Sequence, residues 1–400
     1  MAYNSVLEMA RELQEELVDI RRQLHSYPEL GSEMNQTIQY VRAKLEEFGV
    51  NYQYSHEIGI IACIEGENTG GCVLLRADMD ALPIQEETQI AYRSKLDKRM
   101  HACGHDAHTA WLLGAAAILQ EHRERIYGSV KVVFQLCEEG KGIGIREMIE
   151  GGVLQNPEVD IAIASHVSPT IPIGKYSISS GGVTTTPASF RIQVKGKGGH
   201  AAEPFGCIDP ILILNQIYNE ISSIQRILLS PKQKAVISIT KIHSGETQNV
   251  IPEMGEMSGT IRTFSREDAE LLLKKIEKIA YGIGEIHGAE VEVHYEIPIG
   301  SVINNPIVTQ YVKQSVQKLL GEEALMEEEF LFMGGDDFSS FSENVPSCYF
   351  FTGVGNKEKD CIYPIHNCKF NLDEDCLYQT VAILAQVSID YLEDKKRRGK

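Results

Sequence analysis

The chain has 400 residues, of which 43% are apolar and 24% charged, an ordinary balance for a globular protein at a length that favours two domains. Its formal charge of −18 would repel nucleic acid and anionic membranes, so we expect neither as a partner. We predict a cytoplasmic protein with reduced thiols. The cysteines are scattered without framework spacing, the sequence shows no signal-peptide pattern, and its apolar runs are shorter than the ~20 residues of a membrane span.

The first 184 residues alternate between helical and strand patterns. Short apolar strands that alternate with helices predict an α/β domain, a mixed sheet with helices on both faces. A turn at 68–71 separates the first two predicted strands. The predicted elements are helices over 5–25, 35–48 and His108–His122, and strands at Ile58–Ile64, Cys72–Leu75, Val130–Leu136 and Asp160–Ser165.

The pattern changes near residue 185 and resumes after Pro298. The middle segment has the order βαββαβ, which is that of a ferredoxin-like α+β unit. The sequence therefore predicts a discontinuous α/β domain, 1–184 and 298–400, interrupted by an inserted α+β domain over 185–297. The inserted strands are Ser189–Lys195, Lys234–His243, Glu256–Phe264 and Ala289–Ile297, the inserted helices are Asp209–Ile227 and Arg266–His287, and the resumed pattern has helices at 306–320 and 373–392 around a strand at Cys348–Thr352.

Metal-ligand residue types stand at the ends of predicted strands. Asp78 and Asp80 end one buried strand, Glu138 and Glu139 follow another, and His166 ends a third. Ligands bind outside the carboxyl ends of strands in open α/β sheets. An isolated pair of glutamates is more often a solvated acidic turn, so the prediction depends on these ends sharing one edge of one sheet.

The densest motif surrounds Cys103 and His105, which flank Gly104 just before a helix. In extended backbone two such side chains point the same way, and glycine permits a close approach of the chain to an ion. His366 follows in a loop near the end of the chain. Each of these histidines alone is more often a polar loop residue than a ligand. Together the thiol, imidazole and carboxylate groups would hold two divalent ions and leave one carboxylate as a base.

Three other polar residues have separate interpretations. Asp106 is expected to be the N-cap of the next helix. His25 fits no ligand cluster. His200 lies in the predicted insert, within the glycine-rich stretch 196–204.

These segments resemble a known family. The sequence is similar, along nearly its whole length, to the hippurate hydrolase and indole-3-acetyl-amino-acid hydrolase branch of the aminoacylase-type metallopeptidases. That family has a catalytic α/β domain with an inserted dimerisation or lid domain, which agrees with the predicted organisation. The matching segments are Arg21–Leu30, Arg76–Pro83, His101–His108, Glu138-Glu139, Gly196–Pro204, Asn249–Pro252 and Gly259–Arg262.

The resemblance implies two divalent metal ions per chain. Imidazole and thiolate suit zinc, and manganese, cobalt or nickel are alternatives. Glu138 would be the base that deprotonates a water, and Asp80 would orient a ligand or tune that base. The implied metal ligands are Cys103, as the bridging ligand, with His105, Glu139, His166 and His366.

The resemblance also implies residues that serve the substrate. His200 would stabilise the oxyanion, reaching the active site of the partner subunit in a homodimer, and Arg262 would hold a free carboxylate. Two differences from the family pattern bear on the substrate rather than on the reaction: residues 333–338 replace a Ser-Glu-Asp-Phe stretch, and Leu136-Cys137 replaces Pro-Ala. The implied substrate-binding residues are Asn249, Arg262 and Gly335.

The predicted function is an amidohydrolase. It would cleave the amide bond of a small N-acyl amino acid, with an acetyl, benzoyl or aryl-acyl group, to a carboxylate and a free amino acid by metal-activated water. A metal-dependent exopeptidase or dipeptidase would use the same residues and differ only in what fills the acyl pocket. A non-catalytic metal-stabilised binding protein would need no base, and Glu138 argues against it.

Overall fold

The computed structural model describes residues 5–31, 34–55, 59–140, 143–228, 230, 233–328 and 330–398. The chain folds into two units. The first comprises residues up to Val183, Val302–Phe330 and the chain from Asp337 onwards, and the second comprises Thr184–Ser301 with Leu331–Asp336. The short segment Leu331–Asp336 groups with the second unit, although its position in the sequence suggested the catalytic domain.

The first unit is built on a seven-stranded mixed sheet. Its strands are β1 Tyr52–Ser55, β2 Gly59–Glu65, β3 Asn68–Asp78, β4 Tyr127–Gln135, β5 Ile161–Pro172, β6 Tyr176–Ser177 and β15 Ser347–Gly355. Their order is β1-β2-β4-β3-β5-β15-β6. Strands β3, β4, β5 and β15 are parallel and almost wholly buried, as expected for strands covered on both faces. The predicted mixed α/β class is confirmed.

Eight helices in the described part of the chain belong to the first unit. They are α1 Val6–Glu12, α2 Gln14–Ser26, α3 Asn35–Glu47, α4 His105–Glu121, α5 Ile143–Glu150, α8 Pro306–Leu320, α9 Ser339–Asn344 and α10 Cys376–Arg398. Helix α4 is buried along nearly its whole length, because α2, α3 and α10 pack on it. The predicted helix over 5–25 is present with a one-residue interruption at Leu13.

Two details of the strands differ from prediction. The turn expected at 68–71 is wrong, because β3 already begins at Asn68 and the turn falls at Gly66-Glu67. A Cβ at Gly70 would lie 2.1 Å from the carbonyl oxygen of Tyr127, so this glycine permits close strand approach rather than a turn. Strand β1 was missed because its sequence is polar and short. Ile58, the predicted start of the next strand, lies outside the described residues.

A small ribbon marks where the chain leaves and re-enters the first unit. Its strands are β7 Gly181–Gly182 and β14 Ile303–Asn304, which pair antiparallel. The N–H of Val183 donates to the carbonyl of Val302 at 3.0 Å. The exit and entry points of the first unit are therefore hydrogen-bonded neighbours.

The second unit is a four-stranded antiparallel sheet with two helices on one face. Its elements are β8 Thr186–Lys195, β9 Gly199–His200, α6 Pro210–Leu228, β10 Ala235–Ser244, β11 Val250–Ile251, β12 Met254–Thr263, α7 Arg266–His287 and β13 Glu290–Glu296. The sheet order β10-β12-β8-β13 and the chain order βαββαβ are those of a ferredoxin-like unit, which confirms the predicted class. Helix α7 is capped at its start by Ser265, whose hydroxyl accepts from the N–H of Asp268, and at its end by Gly288, which adopts the left-handed conformation.

Among the helices in the described part of the chain, none is both long and apolar enough to span a bilayer.

Candidate active site

The parallel strands bring their carboxyl ends to one edge of the sheet. Asp78 ends β3 opposite Gln135, the last residue of β4. Arg76 and Ala164 are register partners in β3 and β5, so Asp78 and His166, two residues further along each strand, lie level with each other. His166 was predicted to end its strand, but β5 continues to Pro172 because it stays paired with β15. The ligand-type residues of three strands therefore meet at this edge.

A tight glycine positions the Cys103 loop on β5. Gly104 has φ +82°, and a Cβ there would lie 2.5 Å from a methyl carbon of Val167, so only glycine fits without strain. This close approach places the Sγ atom of Cys103 3.4 Å from Nε2 of His166. The start of α4 is thus held against the strand that carries a second ligand-type residue.

The loop of His366 joins the same cluster. The N–H of His366 donates to the carbonyl of Ala102 at 2.8 Å, which ties this loop to the one that carries Cys103. His366 has φ +65°, a left-handed conformation that costs a non-glycine residue energy. Its Nε2 lies 3.3 Å from Oε1 of Glu139.

The five predicted metal ligands come together as two groups that share one residue. In each group the ligand atoms lie within 4.8 Å of one another. Because Cys103 belongs to both groups, its thiol lies close to the ligand atoms of all four other residues. The groups are Cys103, His105 and His166, and Cys103, Glu139 and His366.

Asp80 organises the residues around this cluster. Its carboxylate accepts the backbone N–H groups of Glu138 at 3.1 Å and Glu139 at 3.0 Å. It also faces Nδ1 of His105 at 3.3 Å, which leaves Nε2 of that ring turned towards the cluster. The carboxylate of Glu138 lies with His105 and Glu139 in a further group whose ligand atoms are within 4.8 Å of each other. Both adjacent glutamates therefore point inward, and Asp80 fixes the backbone between them.

The chemistry of these groups fits divalent cations. Nε2 of His105 is buried and makes no hydrogen bond to any described residue, and the buried Oε1 of Glu139 has Nε2 of His366 within 3.3 Å but not in hydrogen-bond geometry. Burial, together with the Glu139 and Glu138 carboxylates, raises the pKa of the Cys103 thiol well above its usual range. A thiolate therefore forms here only beside positive charge, which a metal ion supplies.

The charge on His105 leads to the same conclusion. Burial alone would lower the pKa of this imidazole, but the Asp78 and Asp80 carboxylates outweigh burial and raise the pKa to about 10. The site carries an excess of buried carboxylates that attract cations.

Behind the cluster lies a buried set of residues whose contacts were not predicted from the sequence. Oδ1 of Asp78 lies 2.6 Å from Nδ1 of His108, whose Nε2 accepts the N–H of Val167 at 3.1 Å. Arg76 pairs with Asp78 at 2.8 Å and with Asp337 at 3.0 Å. Burial opposes ionisation of Asp78, yet Arg76 holds the pKa of this carboxyl well below its usual range. The i, i+3 spacing of His105 and His108 on α4 was the available signal.

The interpretation of Asp106 as an N-cap was wrong, and its actual partners include His25, which belongs to no ligand cluster among the described residues. Gly104, not Asp106, occupies the N-cap of α4. Oδ2 of Asp106 lies 3.1 Å from Nε of Arg21 and 2.7 Å from Nδ1 of His25, and all three side chains are fully buried. The signal in the sequence was the i, i+4 spacing of Arg21 and His25 on the buried face of α2.

His200 and Asn249 are neighbours in the second unit, on the ribbon of β9 and β11. The N–H of Ala201 donates to the carbonyl of Asn249 at 3.1 Å. The N–H of Ala202 donates to Nδ1 of His200 at 3.1 Å, so the neutral ring carries its proton on Nε2. The exposed imidazole can therefore donate a hydrogen bond from Nε2.

Arg262 and Gly335 also lie in the second unit. The guanidinium of Arg262 donates to the carbonyl of Ile261 at 3.0 Å, and no carboxylate among the described residues pairs with it. A Cβ at Gly335 would lie 2.9 Å from Ile299 and 3.1 Å from Pro187, so a side chain there would need its neighbours to move. Arg262 thus has a guanidinium available for an anion.

Known proteins resemble this chain over almost its whole length. It is 39% identical over 371 residues to thermostable carboxypeptidase 1 of Saccharolobus solfataricus, covering 92% of this chain and 93% of that one. It is 35% identical over 388 residues to IAA-amino acid hydrolase ILR1-like 2 of Arabidopsis thaliana, covering 96% and 87%. The crystal structure of Bacillus subtilis YXEP protein, a dinuclear metal binding peptidase from the M20 family, superposes with a TM-score of 0.84 at 32% identity, covering 96% of this chain and 99% of that one. These relatives confirm the predicted resemblance and the hydrolase class. The sequence model of peptidase family M20/M25/M40 matches residues 74–390, and the chain belongs to that family.

Proposed function

We propose that the protein is a dinuclear metal-dependent amidohydrolase that cleaves an N-acyl amino acid to a carboxylate and a free amino acid. The observation that carries this proposal is the pair of ligand groups that share Cys103, with the Glu138 carboxylate beside them. A binding protein would need the ligands but no spare carboxylate at that place.

The chain supplies five residues to hold two ions. A thiolate and three imidazoles favour zinc, and cobalt, nickel or manganese are alternatives. When bound, the ions would lower the pKa of a water and polarise the scissile carbonyl. The ligands would be Cys103, His105, Glu139, His166 and His366.

Glu138 would act as base and then as acid. It would take the proton from the attacking water and deliver it to the nitrogen of the leaving amine. Asp80 supports this role, because its carboxylate holds the backbone N–H groups of both glutamates and so fixes where their side chains begin. Asp80 would also orient His105 through Nδ1.

The second unit would serve the substrate. The Nε2–H of His200 would donate to the oxyanion, a role supported by the bond that Nδ1 already accepts. The guanidinium of Arg262 would bind the free α-carboxylate, with which it can form two parallel hydrogen bonds. Asn249, beside His200, and the backbone at Gly335 would complete the binding of the substrate.

A homodimer through the second unit would bring His200 to the partner's active site. Strand β10 lies at one edge of the sheet, and pairing of two equivalent edges would satisfy their backbone groups. Val236 and Ile242 on this strand are each 46% exposed, and Tyr218 on α6 is 41% exposed. These apolar side chains suit an isologous contact. We further place the protein in the cytoplasm, where its free cysteines stay reduced.

A carboxypeptidase is the second candidate, since a carboxypeptidase is 39% identical to this chain. Both reactions release an amino acid with a free carboxylate. The two substrates differ only in the group on the acyl side of the cleaved amide bond, so this group must be varied to tell the activities apart. A hydrolysis screen after metal analysis should compare acetyl-, benzoyl- and indoleacetyl-phenylalanine with alanyl-phenylalanine, which share one leaving amino acid. We expect higher kcat/KM for the acyl amino acids. A clear preference for the dipeptide would favour the exopeptidase.

A further inference from the structure

A buried network of charges lies directly behind the start of α4. Asp106 follows the ligand residue His105, and its carboxylate accepts hydrogen bonds from Arg21 at 3.1 Å and His25 at 2.7 Å. These three side chains are fully buried. The N-cap Gly104 offers no side chain to hold the first turn of α4. Asp106 is thus the side chain that anchors this turn to α2.

Arg21 extends the network to a second ligand segment. Its guanidinium donates to Asn371 at 2.9 Å and to Glu374 at 2.9 Å. Both acceptors follow His366 in the chain by only a few residues. One guanidinium therefore joins the segment after His366 to the turn that contains His105.

His25 balances the charge of the network. Its Nδ1 faces Asp106, and its Nε2 faces Glu86 at 3.3 Å. Burial opposes the charged form, but the carboxylates at the two nitrogens outweigh burial and raise the pKa of His25 above its ordinary value, which favours an imidazolium that donates from both nitrogens. Glu86 is held in turn by the N–H of Ser94 at 2.6 Å. Asp106 thus lies between two cations whose other bonds are already fixed.

We propose that Asp106 is a positioning residue of the metal centre. Together with Arg21 and His25, it fixes the distance between the ligand pair Cys103 and His105 and the separate ligand His366. None of the three is among the proposed metal ligands or substrate-binding residues. The inference rests on the proposed function, because it concerns affinity for the proposed ions.

The physical reason is that the two ligand segments are far apart in sequence and are joined, in the described part of the chain, by two routes of hydrogen bonds. One is the backbone bond from His366 to Ala102, and the other route runs through Asp106 and Arg21. Loss of the second route leaves the first turn of α4 free to shift relative to His366. A shift of this kind weakens metal binding, as loss of outer residues that orient ligands commonly does by about 10–100-fold.

The test compares metal affinity in matched variants. Asp106→Asn removes the charge at constant shape, and Arg21→Lys keeps a cation but loses the fork that reaches Asn371. The control is Asp160→Asn, because Asp160 also accepts a backbone N–H, that of Cys72, and pairs with Lys395, but at the opposite end of the same strands. Zinc affinity should be measured by competition with a chromophoric chelator. The absorption spectrum of each cobalt-loaded protein should be recorded beside it.

We expect Asp106→Asn and Arg21→Lys to bind zinc about 10–100-fold more weakly than the wild type, and Asp160→Asn to stay within about twofold of it. The charge-transfer absorption band from the thiolate to cobalt should change in Asp106→Asn and not in the control. If Asp106→Asn does not fold, His25→Gln and Arg21→Lys carry the same expectation.

Two results overturn the inference in different ways. Wild-type protein that binds zinc normally, with network variants of unchanged affinity and cobalt spectrum, overturns the positioning role alone. Wild-type protein that binds no divalent ion overturns the proposed function, and the inference falls with it.

Discussion

The adjacent glutamates allow a sharp test, because one substitution at two neighbouring positions should have different consequences. Glu138→Gln should keep the fold and the metal ions but lower kcat by about 10²–10⁴, the usual contribution of a positioned general base. That loss equals about 2.7–5.5 kcal/mol of activation free energy. The amide keeps the shape of the carboxylate and cannot take a proton from water.

Glu139→Gln should instead weaken metal binding. Oε1 of Glu139 lies 4.0 Å from Nε2 of His105, in a site where the Glu139 side chain is 14% exposed. A pair of unit charges at this separation contributes about 4 kcal/mol at the effective dielectric of a partly buried site. Loss of the Glu139 charge beside a cation should therefore raise the metal Kd by roughly a thousandfold.

The assay measures metal content, metal Kd and kcat for both variants and for Glu150→Gln, a control on the exposed end of α5. Glu138→Gln should contain the wild-type amount of metal and turn over slowly. Glu139→Gln should lose metal and regain part of its activity when metal is added in excess. If the two variants behave alike in metal content and kcat, the division of roles between them is wrong.

Four further expectations follow from the same residues. Chelation should remove activity that added metal restores, and Cys103→Ala should lose metal and activity together; metal analysis that finds one ion or none in the active enzyme would contradict the dinuclear arrangement. Amidation of the substrate carboxylate should raise KM steeply, since a bidentate charged contact with Arg262 is lost, and equal performance of acid and amide would give Arg262 a structural role. His200→Ala and Glu138→Ala should be nearly inactive as homodimers, whereas their heterodimer should regain substantial activity; a verified heterodimer that stays inactive removes His200 from action across the interface. Gly104→Ala should lower the free energy of unfolding, measured by denaturant titration, by about 1–3 kcal/mol because of its positive φ, and unchanged stability would mean that the loop relaxes.

The sequence allowed four of the five proposed metal ligands to be grouped, because Cys103, His105, Glu139 and His166 stand at the ends of elements with clear periodicity, whereas His366 stands in a loop. Glu139 follows an apolar strand, and His105 opens an apolar helix, so topology alone brings them to one edge of the sheet. Residue types then indicated the chemistry. The choice of the five ligands among the candidate residues, the place of His366 and the sharing of Cys103 between the two groups needed either the resemblance or coordinates.

The buried networks could not be predicted in the same way. Asp106 looked like an N-cap, because local sequence does not show that Arg21 lies within 3.1 Å of it. Arg76 and Asp337 form a buried pair across 261 residues of chain. Such pairs form when distant segments pack together, and they leave no periodic pattern in the local sequence. Gly70 shows the converse, since a glycine that suggests a turn can equally mark close approach of two strands.

The neighbouring exit and entry points of the first unit bear on the history of the fold. Val183 and Val302 are hydrogen-bonded to each other, so a turn of a few residues could replace everything between them. All five ligand-type residues belong to the first unit, outside the interrupted stretch. The stretch Thr184–Ser301, which forms most of the second unit, therefore has the connectivity of a module inserted between two hydrogen-bonded neighbours of a chain that already carried the ligand-type residues. In such a lineage the ability to hold metal would predate the substrate preferences, which the later module could change without disturbing the ligands.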